Sequence, residues 1–170
     1  MKSPNHYNRV LAIDPCTRGF GFAVVETRMR LVDWGVARVW GSSTKEFVAR
    51  IECLIERYQP SGVVLEEVTG LRRSSRSSSR MQLLAEHLSK NRVTRAQISR
   101  AAVQTIFADT GRTKHDIARA VTGIFPELLP HLPPVRKPWM SEDERMPLFY
   151  AAALAITAVN ISLGGRRGAG

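Results

Sequence analysis

Asp14 and Glu66 stand out because of what precedes each. Asp14 closes the apolar run RVLAID, and Glu66 closes GVVLE, with Glu67 directly behind it. In an open α/β sheet, functional groups gather outside the carboxyl ends of the strands, and neighbouring strand ends bring their acids close together. Glu66 continues the strand rhythm, whereas Glu67 points to the opposite face. Paired carboxylates suit a hard divalent cation such as Mg²⁺, which takes oxygen ligands and keeps several waters. Two such ions roughly 4 Å apart can position a water and stabilise the leaving oxygen of a phosphodiester. Such a pair needs further carboxylates. Asp143, in SEDERM, lies seven residues before Tyr150; on a continuous helix that spacing is two turns and one face. The same acids also suit a helix N-terminus capped by Ser141, where they complement the dipole.

A second feature is charge. The chain has 170 residues and a net charge of +10. Between Arg72 and Arg100 stand Arg72, Arg73, Arg76, Arg80, Lys90, Arg92, Arg95 and Arg100 against the single acid Glu86, so this stretch carries +7 of the +10. Arginines on a serine-rich loop grip phosphates bidentately, and the serines add further donors. A polyanion is the expected partner, nucleic acid ahead of an anionic membrane surface. No base-reading pattern is visible, so phosphate contact predicts recognition of shape and a strong salt dependence. The loop directly follows the Glu66 strand and is expected beside the acids. His115 reads as a surface residue, and Trp34, Trp40 and Trp139 read as core or rim anchors.

Elements must carry these residues to one place. Arg9–Asp14, Phe20–Glu26 and Arg30–Trp40 have the Val-rich, aromatic, alternating pattern of three strands, the last two joined as a hairpin. Thr44–Tyr58 has its apolar residues at helical spacing and a capping residue in Ser43 or Thr44. Gly62–Leu65 is a short buried strand, Met81–Lys90 a helix, and Ala101–Ala108 (AAVQTIFA) a fifth strand. A helix over Thr113–Phe125, a proline-rich connector and a last helix from Ser141 to about Ser162 complete the order β-β-β-α-β-α-β-α-α. Three consecutive strands followed by strand–helix alternation predict a mixed sheet with helices on both faces.

Length fits one domain with a real core. Residues 1–8 are expected as a flexible tail, 9–163 as a single domain and 164–170 as a flexible basic tail. Cys16 and Cys53 have no metal-ligand spacing and read as reduced thiols in a cytoplasmic protein. The N-terminus lacks an apolar signal core. The apolar run Leu148–Leu163 is shorter than the ~20 residues that span a bilayer, so no membrane partner is expected.

At this point the chain resembles a known family, the RuvC-type Holliday-junction resolvases of the RNase H-like superfamily. AIDPCTRGFGFAVVE is similar to their first two strands, and VVLEEV to the fourth, which ends in the second catalytic acid. GRTKHDIARAV resembles the loop and helix that carry a lysine near the scissile phosphate, here Lys114. The resemblance runs from about Val10 to Asn160. It implies an RNase H-like α/β fold: a mixed five-stranded sheet, its first three strands antiparallel, with helices on both faces. It also implies Asp14 and Glu66 as metal ligands with Mg²⁺ (or Mn²⁺), Asp14, Glu66, Lys114 and Asp143 as the catalytic set, and Asp143 as third metal ligand. Arg72, Arg73, Arg76, Arg80 and Lys114 would hold DNA, four-way junctions would be the substrate, a homodimer the working form, and recombination and repair at the nucleoid the setting. One departure matters. The family's last helix supplies two acids, whereas in MPLFYAAALAIT the matching positions hold Pro147 and Tyr150. Cys16 also replaces the glycine of the family's Asp-Pro-Gly. Without a substitute acid the chain would bind DNA and not cut it. An RNase H-like nuclease acting on structured RNA is the remaining alternative.

Overall fold

A computed structural model describes residues 9–41, 43–67 and 75–167, with side chains given over 77–162 of the last stretch. Strands β1 (Arg9–Cys16), β2 (Gly19–Glu26), β3 (Arg30–Arg38), β4 (Gly62–Glu66) and β5 (Arg95–Ile98) form one sheet. Its order is β3-β2-β1-β4-β5. β1 runs antiparallel to β2 and β2 to β3, while β4 runs parallel to both β1 and β5. This is the mixed sheet expected from the sequence. Helices α1 (Thr44–Tyr58), α2 (Ser75–Lys90), α3 (Arg100–Ile106), α4 (Lys114–Ile124) and α5 (Met146–Arg167) complete the chain.

Two-residue alternation divides the core between the faces. Leu11, Ile13, Val63 and Leu65 face α1 and α2, packing with Phe47, Ile51, Met81, Leu84 and Leu88. Ala12, Ala23 and Val64 face the other way, against α4 and α5. α5 is buried continuously from Leu148 to Val159, which is why its sequence shows no polar stripe. Small residues let it lie close to the sheet. A Cβ on Gly21 would stand 2.1 Å from the Pro147 carbonyl carbon, so glycine is required where the start of α5 crosses β2.

Four boundaries differ from expectation. Ala101–Ala108 is not a strand: its first part is α3, capped by Ser99 Oγ accepting from Ala102 N–H at 3.1 Å. Alanine favours helix once a cap is present. The fifth strand is the polar RAQI of β5, a sheet edge on which only Ile98 is buried, so it shows no alternation to read. α2 begins at Ser75, six residues before Met81, with buried Ser77 and Arg80 tying its start to the body. α5 begins at Met146 and not at Ser141; Pro147 is tolerated in a first helical turn, where no intrahelical N–H bond is lost. The same helix runs on to Arg167, into the stretch expected as a basic tail. Residues 1–8 lie outside the described residues.

Candidate functional site

The site is built at the carboxyl ends of β1 and β4. Ile13 pairs with Leu65, so Asp14 and Glu66 follow side by side on adjacent parallel strands. Strands in register stand ~4.8 Å apart and point equivalent residues the same way. Asp14 follows the direction of Ala12, and Glu66 that of Val64, so both turn toward α5. They are 5% and 7% exposed, a burial that carboxylates accept only with partners. Glu67 leaves the strand, its N–H donating to Ile98 O at 2.8 Å.

The third corner is Tyr150 of α5. Its hydroxyl donates to Glu66 Oε1 at 2.5 Å across 84 residues of chain. The phenol pKa is raised well above its ordinary value, first by burial, then by the hydrogen bond to Glu66, then by the negative charges of Glu66 and Asp14; Arg100 opposes this weakly. Tyr150 is therefore a neutral donor at any physiological pH. The carboxylate it meets is a partner, and no further carboxylate stands on this part of α5.

Lys114 arrives from the first position of α4. Thr113 caps that helix in a reciprocal box with Asp116, which fixes the start of α4. The Lys114 ammonium lies 5.6 Å from the centre of the Tyr150 ring, so it reaches the rim of the site. There it pairs with Glu142 at 3.0 and 3.1 Å. Asp143, expected as the third ligand, is engaged by Arg145. It accepts from Arg145 Nε and Nη2, both at 2.8 Å, and from the Arg145 backbone N–H at 2.9 Å. That grip, led by the side-chain bonds from Arg145, holds its carboxyl below the usual range. Among the described residues no group of three or more His, Cys, Asp or Glu is assembled to hold a metal.

The basic residues also divide. Arg72 and Arg73 lie outside the described residues, and Arg76 falls in the first turn of α2. Arg80, expected on the DNA surface, is 5% exposed and turned inward. Its Nη1 donates to Cys16 O at 2.8 Å and Thr17 O at 3.1 Å, its Nη2 to Gly41 O at 3.5 Å, and its guanidinium carbon lies 5.4 Å from the Phe47 ring centre. It pins three segments of the site's periphery together. His115 is half-buried, its Nε2 2.8 Å from Pro133 O. Burial raises the Cys16 thiol above its ordinary value, which favours the protonated form. Trp40 and Trp139, read as anchors, are 78% and 79% exposed.

Sequence reasoning missed two residues at the rim. Arg100 opens α3 just beyond the carboxyl end of β5, close enough to act on Tyr150. Had β5 been placed at 95–98, Arg100 would have read as a strand-end residue. Glu142, and not Asp143, is the acid carried to Lys114. Nothing in adjacent acids distinguishes the two until the turn before α5 is folded.

No family model and no curated protein matches the sequence. Solved structures do match the fold. Thermus thermophilus RuvC in complex with a Holliday-junction substrate superposes with a TM-score of 0.62 at 22% identity, covering 92% of this chain and 96% of that one. A second structure of T. thermophilus RuvC gives a TM-score of 0.62 at 21% identity, with the same coverage. Fowlpox virus resolvase, in complex with substrate Holliday-junction DNA, gives 0.57 at 12% identity, covering 91% and 99%. The chain has a RuvC-like resolvase fold over nearly its whole length.

Proposed function

We propose, taking the RuvC-like fold as the premise, that the protein is a structure-selective endonuclease for branched DNA, working with a divalent metal. The observation that carries the proposal is the pairing of Asp14 with Glu66 at the carboxyl edge of the sheet, on one face and buried. Two solved relatives in fold are complexes with Holliday-junction DNA, which favours four-way junctions as the substrate class. A homodimer would place two such sites on one junction, and recombination and repair at the nucleoid, in the cytoplasm, would be the setting.

The donor set fits one hydrated ion and not a pair. Mg²⁺ is commonly held by one or two carboxylates together with a substrate phosphate. A second ion needs more carboxylate, and at that corner Tyr150 offers a hydroxyl that donates. Bound there, Mg²⁺ or Mn²⁺ supplies positive charge against the phosphate and eases the ionisation of a water. Asp14 and Glu66 would hold it, and Tyr150, donating to Glu66, would fix the rotamer of that carboxylate. Lys114, exchanging Glu142 for a phosphate oxygen, and Arg100 at the rim would balance the charge that develops. Arg72, Arg73 and Arg76 would hold the junction arms through their phosphates.

The hydrogen bond from Tyr150 to Glu66 favours a second reading, in which the protein binds branched DNA without cutting it. One experiment separates the two. Wild type and Asp14→Asn are compared for binding and Mg²⁺-dependent cleavage of a four-way junction, a linear duplex and a structured RNA. Cleavage of the junction by wild type alone supports the endonuclease. Tight junction binding with no product from either protein supports the binding reading. Preference for the RNA, or no preference for the junction over the duplex, removes both.

A further inference from the structure

The turn between β1 and β2, the end of β3 and the loop into α1 enclose a cleft of about 250 Å³, lined by Thr17, Arg18, Arg38, Val39, Trp40 and Gly41. It is rigidly made. Val39 N–H donates to Arg18 O at 2.8 Å, and Val39 is 4% exposed, which anchors the strand end beneath the cleft. Arg80 holds Cys16, Thr17 and Gly41 by their carbonyl groups, so the two loops keep one spacing. On this buried frame sits Trp40, an indole 78% exposed to water. Core packing does not account for it, since the indole contributes little to the interior.

The side chains around it define a ligand class. Arg18 and Arg38 are exposed cations, and no acid lines the cleft. Arg38 pairs with Glu144 at 2.5 Å, but both members are 54% exposed. Such a pair is worth little in water and exchanges readily for phosphate. A flat π-face beside guanidinium groups is the arrangement that stacks a base while holding its backbone. The cleft also lies at the same end of the sheet as the acids: Thr17 is three residues beyond Asp14 along the chain, ~10 Å of extended backbone.

We propose that this cleft binds an unpaired nucleotide, its base stacked on Trp40 and its phosphates held by Arg18 and Arg38. The inference deepens the branched-DNA reading, and rests on it for the origin of the nucleotide, a base opened at the branch point. Stacking of this kind tolerates any base, in keeping with the lack of a base-reading pattern in the sequence.

The test uses the full chain and two probes. Oligo(dT) of eight nucleotides is titrated while tryptophan fluorescence is followed, and junction binding is measured in parallel by anisotropy. Wild type is expected to show saturable quenching. Trp40→Ala is expected to lose that quenching and to bind the oligonucleotide about 10-fold more weakly. Trp40→Phe is expected to fall between the two. Arg18→Ala is expected to weaken binding and lower the salt slope by about one. Circular dichroism confirms that these exposed substitutions leave the fold intact. Unchanged quenching and affinity in Trp40→Ala, with junction binding preserved, overturns the cleft and leaves the branched-DNA reading standing. Oligonucleotide binding that depends on Trp40, with no preference for the junction, supports the cleft and removes that reading. Absence of binding to either probe overturns both.

Discussion

Removal of one oxygen atom tests how the site is held. Tyr150→Phe keeps the ring and its packing and deletes only the hydroxyl that donates to Glu66 at 2.5 Å. Both residues are nearly sealed from water, at 5% and 7% exposure, so solvent replaces the lost donor poorly. A hydrogen bond to a charged group contributes ~1.5–3 kcal/mol, and a buried acceptor left without its donor incurs a similar cost. The expected loss is about 2 kcal/mol, which in a domain of this size lowers Tm by roughly 4–8 °C. An added ion then acts on the vacated position. At ten times its Kd, Mn²⁺ stabilises the folded state by ~1.4 kcal/mol and recovers more than half of the loss. Thermal melts of wild type and Tyr150→Phe, with and without Mn²⁺, read both effects, and Asp14→Asn in each background locates the ion at the site. An unchanged Tm in Tyr150→Phe would refute the assignment of Tyr150 as the donor that holds Glu66. Tyr150→Asp extends the test: it is expected to be less stable without metal, because three carboxylates then converge, and to gain metal affinity and junction cleavage.

Other consequences follow from the same geometry. Arg80→Met leaves three carbonyl groups without their donor and is expected to destabilise by about 3 kcal/mol in urea melts, while the salt slope of DNA binding stays unchanged. Gly21→Ala is expected to unseat the start of α5, since its Cβ meets the Pro147 backbone at 2.1 Å; loss of cooperative unfolding by calorimetry is the readout. Glu26 is held below the usual carboxylate range, chiefly by hydrogen bonding to Arg30 and then by Arg9 against the cost of burial. A depressed folded pKa contributes stability above the unfolded value, about 4.3, and loses it as pH falls through the folded value. Glu26→Gln is therefore expected to flatten the acid limb of the stability curve below about pH 4. Tyr150 has the opposite sense. Its raised pKa costs stability only as pH climbs past the unfolded value of about 10, and Tyr150→Phe is expected to weaken that alkaline limb.

Much of the site was legible because its signals are local. A strand shows its period in a few residues, so RVLAID and GVVLE announced both the strands and the acids that close them. The helix expected over Thr113–Phe125 is α4, and the Thr113–Asp116 box of the folded chain sets Lys114 at its head. The departure at Tyr150 was legible too, as a residue type that does not supply a carboxylate at neutral pH.

What stayed hidden depends on which surfaces meet. RAQI carries no alternation, because an edge strand buries little, and AAVQTI mimicked a strand until Ser99 capped it as a helix. Arg80 looked like its neighbours in a basic run, yet the carbonyl groups that claim it come from residues 64, 63 and 39 positions away in the chain. Trp40 read as a core or rim anchor, and the folded β3 carries it past the edge of the sheet into water. Asp143 and Glu142 are adjacent acids that the turn before α5 sends to different cations, Arg145 and Lys114. The sequence by itself determined most of the elements and the residue types at their ends, because those follow from period and propensity. The tertiary structure alone decided which charges face one another, because side-chain pairing depends on distance through space, and short-range patterns carry no record of it.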